Sequence, residues 1–259
     1  MQKIESLENS KIKLLKKLNQ KKYREQFSKF SVENFTIIID AQNSGFNFEQ
    51  LFVTENFIKK NQEKFDLLLK NSKNINEIYI IDKKINKSFS NLENPSGICA
   101  IYEKLDTKID YNNIIVYLNN ISDPGNLGTI LRSALAFDIK NIILDENCVD
   151  LYNFKTINSA KDSIFKLNME FDENLKLLKK IKKQMKIFST RLEKSKSIDI
   201  LKKENKFCII FGNETNGVDK KIMNLSDDFI KINMTSDIES LNVASSCAII
   251  FHYIYNNSL

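Results

Sequence analysis

The sequence is poor in the residue types that most often build metal centres and membrane segments. It has one histidine, and its four cysteines, at 99, 148, 208 and 247, include no pair at metal-ligand spacing. No apolar run approaches the length of a membrane span, and the charged N-terminus lacks the apolar stretch of a secretory signal. We therefore expect a cytoplasmic protein with free, mostly buried thiols, no bound metal and no membrane partner.

Proline and arginine are also scarce. The 39 basic residues include only three arginines, Arg24, Arg132 and Arg191, and the chain has two prolines. Asparagine and isoleucine are plentiful instead. We interpret this as a general compositional drift that places lysine or asparagine wherever no special side chain is required. An arginine in this sequence therefore needs a specific explanation.

The composition is that of a folded protein with a sizeable core. Hydrophobic residues make up 42% and charged residues 28% of the 259 residues, a balance that excludes a disordered chain. This length allows one large domain or two modest ones. The net charge of +6 suits a polyanionic partner such as RNA, although many soluble proteins are equally basic.

The first thirty residues are typical of one basic helix. Apolar residues recur at roughly helical spacing between Ile4 and Leu18, and Ser10 is placed to cap the second part of that helix. The run KKLNQKKYREQ at 16–26 concentrates positive charge. Two interpretations of this run stay open: a solvated helix face, or a surface that contacts RNA phosphates.

The remainder of the first hundred residues alternates between short strand and helix patterns. We predict strands at FTIIID (35–40), at EIYIID (77–82) and within NPSGICAIYEKL (94–105) after its turn, and a helix end at FDLLLKN (65–71). This alternation predicts a small α/β domain over residues 1–105. A polar stretch, DTKIDYNN at 106–113, is the predicted linker.

The second half has a different pattern, in which short and almost entirely apolar runs predict strands. These runs are IIVYL (114–118), NIIL (141–144), KIFST (186–190), FCIIF (207–211) and DFIKI (228–232). Such runs are typical of a parallel sheet covered on both faces. A helix is predicted at 172–186, with its many lysines on a solvated face, and a last helix from about Leu241 to Tyr255.

Three segments of this half carry polar residues directly beside predicted strands. Segment I is NISDPGNLGTILRSA (120–134), where a turn at Asp123-Pro124-Gly125 leads to Asn126 as a helix cap and, six residues later, to Arg132. Segment II is IIFGNETNGV (209–218), a loop with two glycines that lacks both the dinucleotide GxGxxG spacing and the lysine of a phosphate loop. Segment III is IKINMTSDIESLNVASSCAII (230–250), in which Ser240 is placed to cap the last helix.

In this order and spacing, the three segments resemble the motifs of the SpoU branch of the SPOUT RNA methyltransferases. Segment I is similar to that family's Asp-Pro-x-Asn-x-Gly pattern followed by Arg, segment II to its Gly-x-Glu-x-x-Gly loop, and segment III to its Ser-Leu-Asn-Val helix start. Residues 10–30 and 94–105 resemble the start and end of the family's N-terminal substrate-binding domain. The chain departs from the family at Asp40-Ala41, where relatives have Glu-Gly, and at Asn233, where they have Pro.

The resemblance implies a two-domain α/β fold. An L30-like RNA substrate-binding domain would span 1–105, a linker 106–113, and a parallel-sheet α/β methyltransferase domain 114–259, whose C-terminal part forms a deep trefoil knot. Knots are otherwise nearly absent from proteins. The family is usually homodimeric through its catalytic domains.

The resemblance also implies the chemistry and the residues that carry it. The cofactor would be S-adenosyl-L-methionine, held against Gly212, Ile232 and Leu241. Around the transferred methyl group and the target ribose it places Asn126, Arg132, Glu214, Ser240 and Asn242. Methyl transfer to a ribose 2′-hydroxyl needs in-line orientation and stabilisation of the developing oxyanion, and it requires no metal. His252 lies outside the three segments, and we interpret it as structural.

The sequence is compatible with three functions. We expect 2′-O-ribose methylation of ribosomal RNA, because the N-terminal domain is present and tRNA-specific relatives often lack it. The alternatives are a tRNA 2′-O-methyltransferase and a catalytically inactive RNA-binding relative. The presence of all five polar motif residues argues against the inactive relative.

Overall fold

The computed structural model describes residues 1–257, which divide into two compact units. The N-terminal unit comprises residues 1–105 together with 152–165, and the C-terminal unit comprises 106–151 and the chain from Lys166 onward. The segment 152–165 lies within the methyltransferase domain predicted from the sequence, but in the structure it belongs to the N-terminal unit. Within the described range no helix combines the length and the apolar character needed to cross a membrane.

The N-terminal unit contains a mixed five-stranded sheet. Its strands are β1 (Gln2–Ile4), β2 (Lys29–Val32), β3 (Gln50–Thr54), β4 (Ile78–Ile81) and β5 (Ile98–Glu103). Their order is β1-β4-β3-β5-β2, with β5 antiparallel to both of its neighbours and the other pairs parallel. The small α/β unit expected from the sequence is thus present, and β4 and β5 confirm the strands predicted at 77–82 and 94–105.

Six helices connect these strands. They are α1 (Ser10–Leu18), α2 (Lys21–Phe27), α3 (Phe35–Asn43), α4 (Glu55–Lys60), α5 (Gln62–Lys70) and α6 (Lys83–Phe89). The helix α5 confirms the helix end predicted at 65–71. The single helix predicted for the first thirty residues is wrong: the chain there forms β1, two helices and β2. Asn9, rather than Ser10, caps α1, because its Oδ1 accepts a hydrogen bond from the Lys11 amide at 2.9 Å.

The strand predicted at 35–40 is also wrong, since FTIIID lies within the helix α3. Its β-branched residues favour a strand locally, but the Asn34 Oδ1 accepts a hydrogen bond from the Ile37 amide and starts a helix. Ile37, Ile38 and Ala41 are fully buried on one face of that helix. Burial of this face and the cap outweigh the local strand preference.

The C-terminal unit contains a seven-stranded sheet in which every described strand pair is parallel. Its strands are β6 (Ile115–Leu118), β7 (Asn141–Asp145), β8 (Asn168–Asp172), β9 (Lys186–Thr190), β10 (Lys196–Ser197), β11 (Phe207–Phe211) and β12 (Asp228–Lys231). The order is β10-β12-β9-β11-β6-β7-β8. All five strands predicted for this half and their parallel arrangement are confirmed, whereas β8 and β10 were not predicted.

Helices cover this sheet. The helices of the C-terminal unit are α7 (Pro124–Ala136), α9 (Lys176–Lys182), α10 (Lys220–Met223) and α11 (Val243–Asn257). The helix α8 (Phe154–Ala160) lies in the segment 152–165 and therefore belongs to the N-terminal unit. The helix predicted at 172–186 is shorter than expected, because its first residue ends β8. Leu178, Ile181 and Met185 pack into the core as the helical spacing predicted.

The parallel arrangement determines where the polar segments lie. Segments I, II and III follow the carboxyl ends of β6, β11 and β12, and all these strands point in one direction. Their loops therefore emerge at the same edge of the sheet, where open α/β proteins place ligands. The trefoil knot that the resemblance implies stays a prediction.

Candidate active site

A cleft of about 520 Å³ lies at this edge of the C-terminal unit. Its volume falls within the range of small-molecule and cofactor sites. Residues from segments II and III line it, together with the residues that follow β9. Gly212, Ile232 and Leu241, which the resemblance assigns to the cofactor, all line this cleft, as do Glu214 and Ser240.

The loop of segment II is a closed turn that tolerates no side chain at Gly212. The backbone groups of Asn213 and Gly217 bond to each other in both directions, at 3.1 and 2.9 Å. A Cβ on Gly212 would lie 2.2 Å from the Gly217 carbonyl carbon and 2.3 Å from the Val218 nitrogen. Gly217 itself has a φ of +66°, which favours glycine. The backbone of the loop therefore requires glycine at 212 and favours it at 217.

The helix of segment I begins differently from the sequence prediction. Asp123, not Asn126, is the cap of α7, because its carboxylate accepts a hydrogen bond from the Asn126 amide at 2.7 Å. Pro124 occupies the first turn, where no amide proton is needed. The side chain of Asn126 is consequently free of a capping role and projects from the first turn of the helix.

The Asn126 side chain connects the three segments. Its Nδ2 donates a hydrogen bond to Glu214 Oε1 of segment II, and its Oδ1 accepts one from Asn242 Nδ2 of segment III at 3.1 Å. Three of the five polar residues predicted around the methyl group are thus joined by direct hydrogen bonds, although they lie far apart in the sequence. The contact orients the amide of Asn126 unambiguously, because each of its ends has a complementary partner.

The cap of the last helix also differs from the sequence prediction. The helix α11 begins at Val243, and Asn242 Oδ1 accepts hydrogen bonds from the amides of Ala244 and Ser245 at 2.8 and 3.3 Å. Ser240 is therefore not the cap; it is exposed and lines the cleft. Asn242 uses its oxygen for the helix and its nitrogen for Asn126, so α11 and α7 are tied together at their N-terminal ends.

Arg132 lies on α7 but is not among the residues that line the cleft. Its side chain is exposed and forms no hydrogen bond or ion pair with residues 1–257. The other two arginines have partners inside the fold. Arg24 is buried and donates to the Leu18 carbonyl at 2.6 Å, and Arg191 donates to the carbonyls of Glu193 and Lys194, each at 2.7 Å.

A buried polar network was missed by the sequence analysis. Asn119 directly follows β6 and is completely buried. Its Nδ2 donates to Asp145 at 2.6 Å and to Asp219 at 3.2 Å, while its Oδ1 accepts from the Asp219 amide at 2.9 Å. These bonds fix the chain after segment II to the ends of β6 and β7. A polar residue at the end of an apolar strand was the available signal, and nothing in the sequence indicated its partners.

A second missed feature is the wall of the cleft formed after β9. The Arg191 guanidinium lies 3.6 Å from the ring centroid of Phe229, and its two carbonyl contacts close the turn at residues 191–194. Thr190 Oγ1 donates to the Ile210 carbonyl at 3.1 Å. Thr190, Arg191, Leu192 and Glu193 all line the cleft. The planar fork of arginine explains why lysine, otherwise general in this sequence, is absent at position 191.

The remaining nucleophilic and metal-binding residue types have structural surroundings. All four cysteines are buried free thiols, as predicted, and burial raises the pKa of each. His252 is exposed on α11, with its ring centroid 5.4 Å from that of Phe137, and it does not line the cleft. No group of three or more metal-ligating side chains occurs within residues 1–257.

Comparison with known proteins assigns both parts of the chain. The profile of the SpoU rRNA methylase family matches residues 113–252, and that of the MRM3-like substrate binding domain matches residues 9–100. Among characterised relatives, the Bacillus subtilis 23S rRNA (guanosine(2553)-2′-O)-methyltransferase RlmP is 26% identical over 255 residues, covering 98% of this chain and 99% of its own.

Solved structures show the same fold along the whole chain. The AdoMet-bound rRNA methyltransferase from Sinorhizobium meliloti superposes with a TM-score of 0.85 at 22% identity, covering 100% of this chain and 98% of that one. The SpoU methyltransferase AviRb from Streptomyces viridochromogenes, in complex with AdoMet, superposes with a TM-score of 0.83 at 19% identity, covering 96% and 97%. The family profile spans more than half of this chain and includes all three polar segments, so the protein belongs to the SpoU rRNA methylase family.

Proposed function

We propose that this protein transfers a methyl group from S-adenosyl-L-methionine to a ribose 2′-hydroxyl of RNA. The observation that carries the proposal is that Asn126 of segment I hydrogen-bonds both Glu214 of segment II and Asn242 of segment III, beside a cleft that residues of segments II and III line. Membership of the SpoU family supports the reaction class. The N-terminal residues 1–105 would bind RNA and residues 114–259 would perform the transfer.

The cleft has the chemistry that this cofactor requires. Gly212 lines the cleft without a side chain, and Ile232 and Leu241 supply apolar surface. The carboxylates of Glu193, Glu214 and Glu239 also line the cleft and would attract the positively charged sulfonium. The bound cofactor supplies an electrophilic methyl group, so the protein needs no group that activates the donor.

The protein's own residues have to orient the 2′-hydroxyl and stabilise its oxygen while the proton passes to solvent or to an RNA phosphate. We propose that Asn126, held between Glu214 and Asn242, sets the geometry around the reacting atoms, and that Ser240 hydrogen-bonds the target ribose from the exposed rim. Arg132 has no partner within the described residues, so its explanation lies in the substrate. Its charged fork would hold an RNA phosphate and stabilise the developing oxyanion. The alternative role, general base, requires the guanidinium to lose its proton.

Ribosomal RNA is the proposed substrate class. The match of residues 9–100 to the MRM3-like substrate binding domain supports it, and so does the 23S rRNA methyltransferase that aligns along almost the whole chain. A tRNA substrate remains the alternative. The target nucleotide is left to experiment.

Two further properties belong to the same proposal. We propose a homodimer formed through the C-terminal unit, supported by the large apolar side chains that α11 leaves exposed, Ile249 at 41% and Tyr255 at 40%. We also propose a cytoplasmic location, supported by four unpaired thiols, which persist in a reducing compartment. Light scattering of the purified protein tests the dimer.

The decisive experiment combines cells and purified protein. Ribose 2′-O-methylation is mapped across total RNA from cells with and without the gene, and the purified protein is given labelled S-adenosylmethionine with large-subunit rRNA, small-subunit rRNA or tRNA. We expect one methylated nucleotide in rRNA to disappear with the gene and to be restored by the protein. Transfer to tRNA alone would overturn the substrate class, and RNA binding without any transfer would indicate the inactive relative.

A further inference from the structure

The N-terminal unit carries a small surface of aromatic and basic side chains, and packing of the fold explains only some of them. Tyr23 and Phe27 lie one turn apart on α2, and their rings are stacked with centroids 6.3 Å apart and planes inclined by 18°. The Lys17 ammonium lies 5.5 Å from the Tyr23 centroid and 5.8 Å from the Phe27 centroid. The Lys22 ammonium lies 5.8 Å from the Tyr23 centroid. We call these four side chains the Tyr23 platform.

The two rings differ in whether they pack against the hydrophobic core. Phe27 packs against the hydrophobic core of the N-terminal unit, together with Leu14. Tyr23 is not part of that core, is only half-buried, and its hydroxyl forms no hydrogen bond with residues 1–257. Core packing therefore explains why residue 27 is aromatic. It does not explain why residue 23, at the surface, is a tyrosine.

The surrounding charge is positive and uncompensated. Lys17, Lys21 and Lys22 are exposed and form no ion pair within the described part of the chain. Glu25, the acidic residue of α2, pairs with Lys104 at 2.6 Å. Arg24, which the basic run at 16–26 also contains, points inward and donates to the Leu18 carbonyl. The surface thus offers an aromatic face bordered by two lysines, Lys17 and Lys22, without acidic partners among the described residues.

We propose that the Tyr23 platform binds an unpaired nucleotide of the RNA, with the base stacked on Tyr23 and adjacent phosphates on Lys17 and Lys22. This inference rests on the proposed function for the kind of polymer that is bound. An aromatic face beside lysines is the combination that single-stranded nucleic acids require, since stacking holds the base and the ammonium groups hold the backbone. An acidic peptide would use the lysines but gain little from the ring.

The test uses the full-length protein and the absence of tryptophan from the sequence. Tyr23→Trp introduces the sole tryptophan, whose fluorescence is followed while a single-stranded oligoribonucleotide of roughly ten nucleotides is added. We expect saturable quenching. The matched control is Tyr111→Trp, at another tyrosine with a lysine over its ring, Lys180 at 4.1 Å, which should stay unquenched. Polyglutamate is the probe for binding by charge alone and should not quench the Tyr23→Trp variant.

A second set of variants separates stacking from charge. Tyr23→Leu should raise the Kd for the oligoribonucleotide about 5- to 100-fold and leave its salt dependence unchanged, whereas Tyr23→Phe should bind like the original protein. Lys17→Gln with Lys22→Gln should instead reduce the slope of log K against log salt by about 0.7 for each lost phosphate contact. None of these variants should alter the affinity for S-adenosylmethionine.

The outcomes distinguish this inference from the proposed function. If Tyr23→Leu binds RNA as well as the original protein, or if the Tyr23→Trp variant binds and methylates RNA with no change in fluorescence, the platform is wrong and the enzyme assignment stands. If the fluorescence of that variant is quenched but no RNA is methylated by the original protein, the platform stands and the proposed reaction fails. Equal quenching by polyglutamate would overturn base stacking in favour of an acidic protein partner.

Discussion

At the residue scale, the three arginines of this sequence differ in their hydrogen-bond partners. Arg24 and Arg191 each satisfy backbone carbonyls inside their own units, a task suited to the planar guanidinium. Arg132 satisfies none within residues 1–257 and stays exposed on α7. A rare residue with no partner in the described part of the chain is a strong candidate for contact with the substrate.

We predict that Arg132→Lys loses most methyl transfer, about 10²-fold or more, with nearly unchanged affinity for S-adenosylmethionine. The reason is that a lysine keeps the charge but not the two-pronged contact with a phosphate. Single-turnover rates from pH 7 to about pH 10 distinguish the two roles of Arg132, because an ammonium loses its proton more readily than a guanidinium. An electrostatic role predicts little recovery of the variant at high pH, whereas a general-base role predicts clear recovery.

The control for this exchange is Lys140→Arg, a reversed exchange at an exposed residue of the same unit. It should leave the methylation rate unchanged. If Arg132→Lys methylates RNA at the original rate at neutral pH, neither role is correct, and Arg132 does not belong to the site.

The second prediction at this scale concerns Gly212. The structure shows why a substitution there should be harmful. The resemblance places Gly212 against the cofactor; in the structure, even a Cβ at this position would collide with the backbone of Gly217 and Val218. We therefore expect Gly212→Ala to lower the free energy of unfolding by about 1–3 kcal/mol and to weaken cofactor binding as well. Thermal unfolding and calorimetry measure the two effects.

Gly45→Asn is the comparison for that variant. A Cβ at Gly45 would meet nothing within 4 Å, and its φ of +88° is of the kind that asparagine tolerates better than most residues. It should therefore melt close to the original protein and bind the cofactor normally. A Gly212→Ala protein that melts and binds like the original would show that the segment II loop has a different backbone path.

At the scale of elements, the site depends on loops anchored to one another at the carboxyl ends of parallel strands. Asn119 connects the ends of β6 and β7 to Asp219, and Asn213 Nδ2 donates to the Asn120 carbonyl at 3.0 Å. Asn242 joins the starts of α11 and α7 through Asn126. These bonds give segments I, II and III a common framework, so a change in one loop is expected to affect the others.

We predict that Asn119→Ala destabilises the protein by about 1.5–3 kcal/mol and weakens cofactor binding, although Asn119 does not line the cleft. The buried Asp145 carboxylate would lose a donor, and the Asp219 amide would lose its acceptor. Chemical denaturation and calorimetry provide the measurement. Asn205→Ala, at an exposed residue of the same unit, should change neither quantity. Equal stability of the two variants would mean that the network does not anchor the loop.

At the scale of the whole molecule, the chain does not divide at a single boundary. Residues 152–165 leave the C-terminal unit after β7, contribute Tyr152 and Phe165 to the N-terminal unit, and return before β8. Within the N-terminal unit, the Phe30 ring centroid lies 4.5 Å from that of Tyr152, and the Tyr102 centroid lies 5.1 Å from that of Phe165. Removing residues 1–105 would therefore also remove the packing of this inserted segment.

We predict that a fragment of residues 106–259 aggregates or melts well below the full chain, because Tyr152 and Phe165, now 5% and 3% exposed, would face solvent. Tyr152→Gln and Phe165→Gln in that fragment should restore solubility without affecting cofactor binding. Gel filtration and thermal unfolding test both fragments. A soluble, cooperatively folded 106–259 with the original aromatic residues would show that the inserted segment does not depend on the N-terminal unit.

The sequence by itself determined the class of the fold and predicted the chemistry of the site. Five apolar runs specified a parallel sheet, because strands buried on both faces leave little choice of residue, and the spacing of Asn126, Glu214 and Asn242 within their motifs indicated the family. Local signals failed where tertiary packing outweighed them. FTIIID became the helix α3, because burial of Ile37, Ile38 and Ala41 on one face was worth more than the strand preference of isoleucine.

Only the tertiary structure decided which side chains meet. No spacing in the chain shows that Asn126 bonds to residues 88 and 116 positions away, that Asn119 bonds to Asp219, or that residues 152–165 pack with the N-terminal unit. These contacts depend on strand order, which places β11 between β6 and β9 although none of the three is consecutive in sequence. Short apolar strands are locally interchangeable, so their order is fixed by packing over the whole sheet rather than by any one segment.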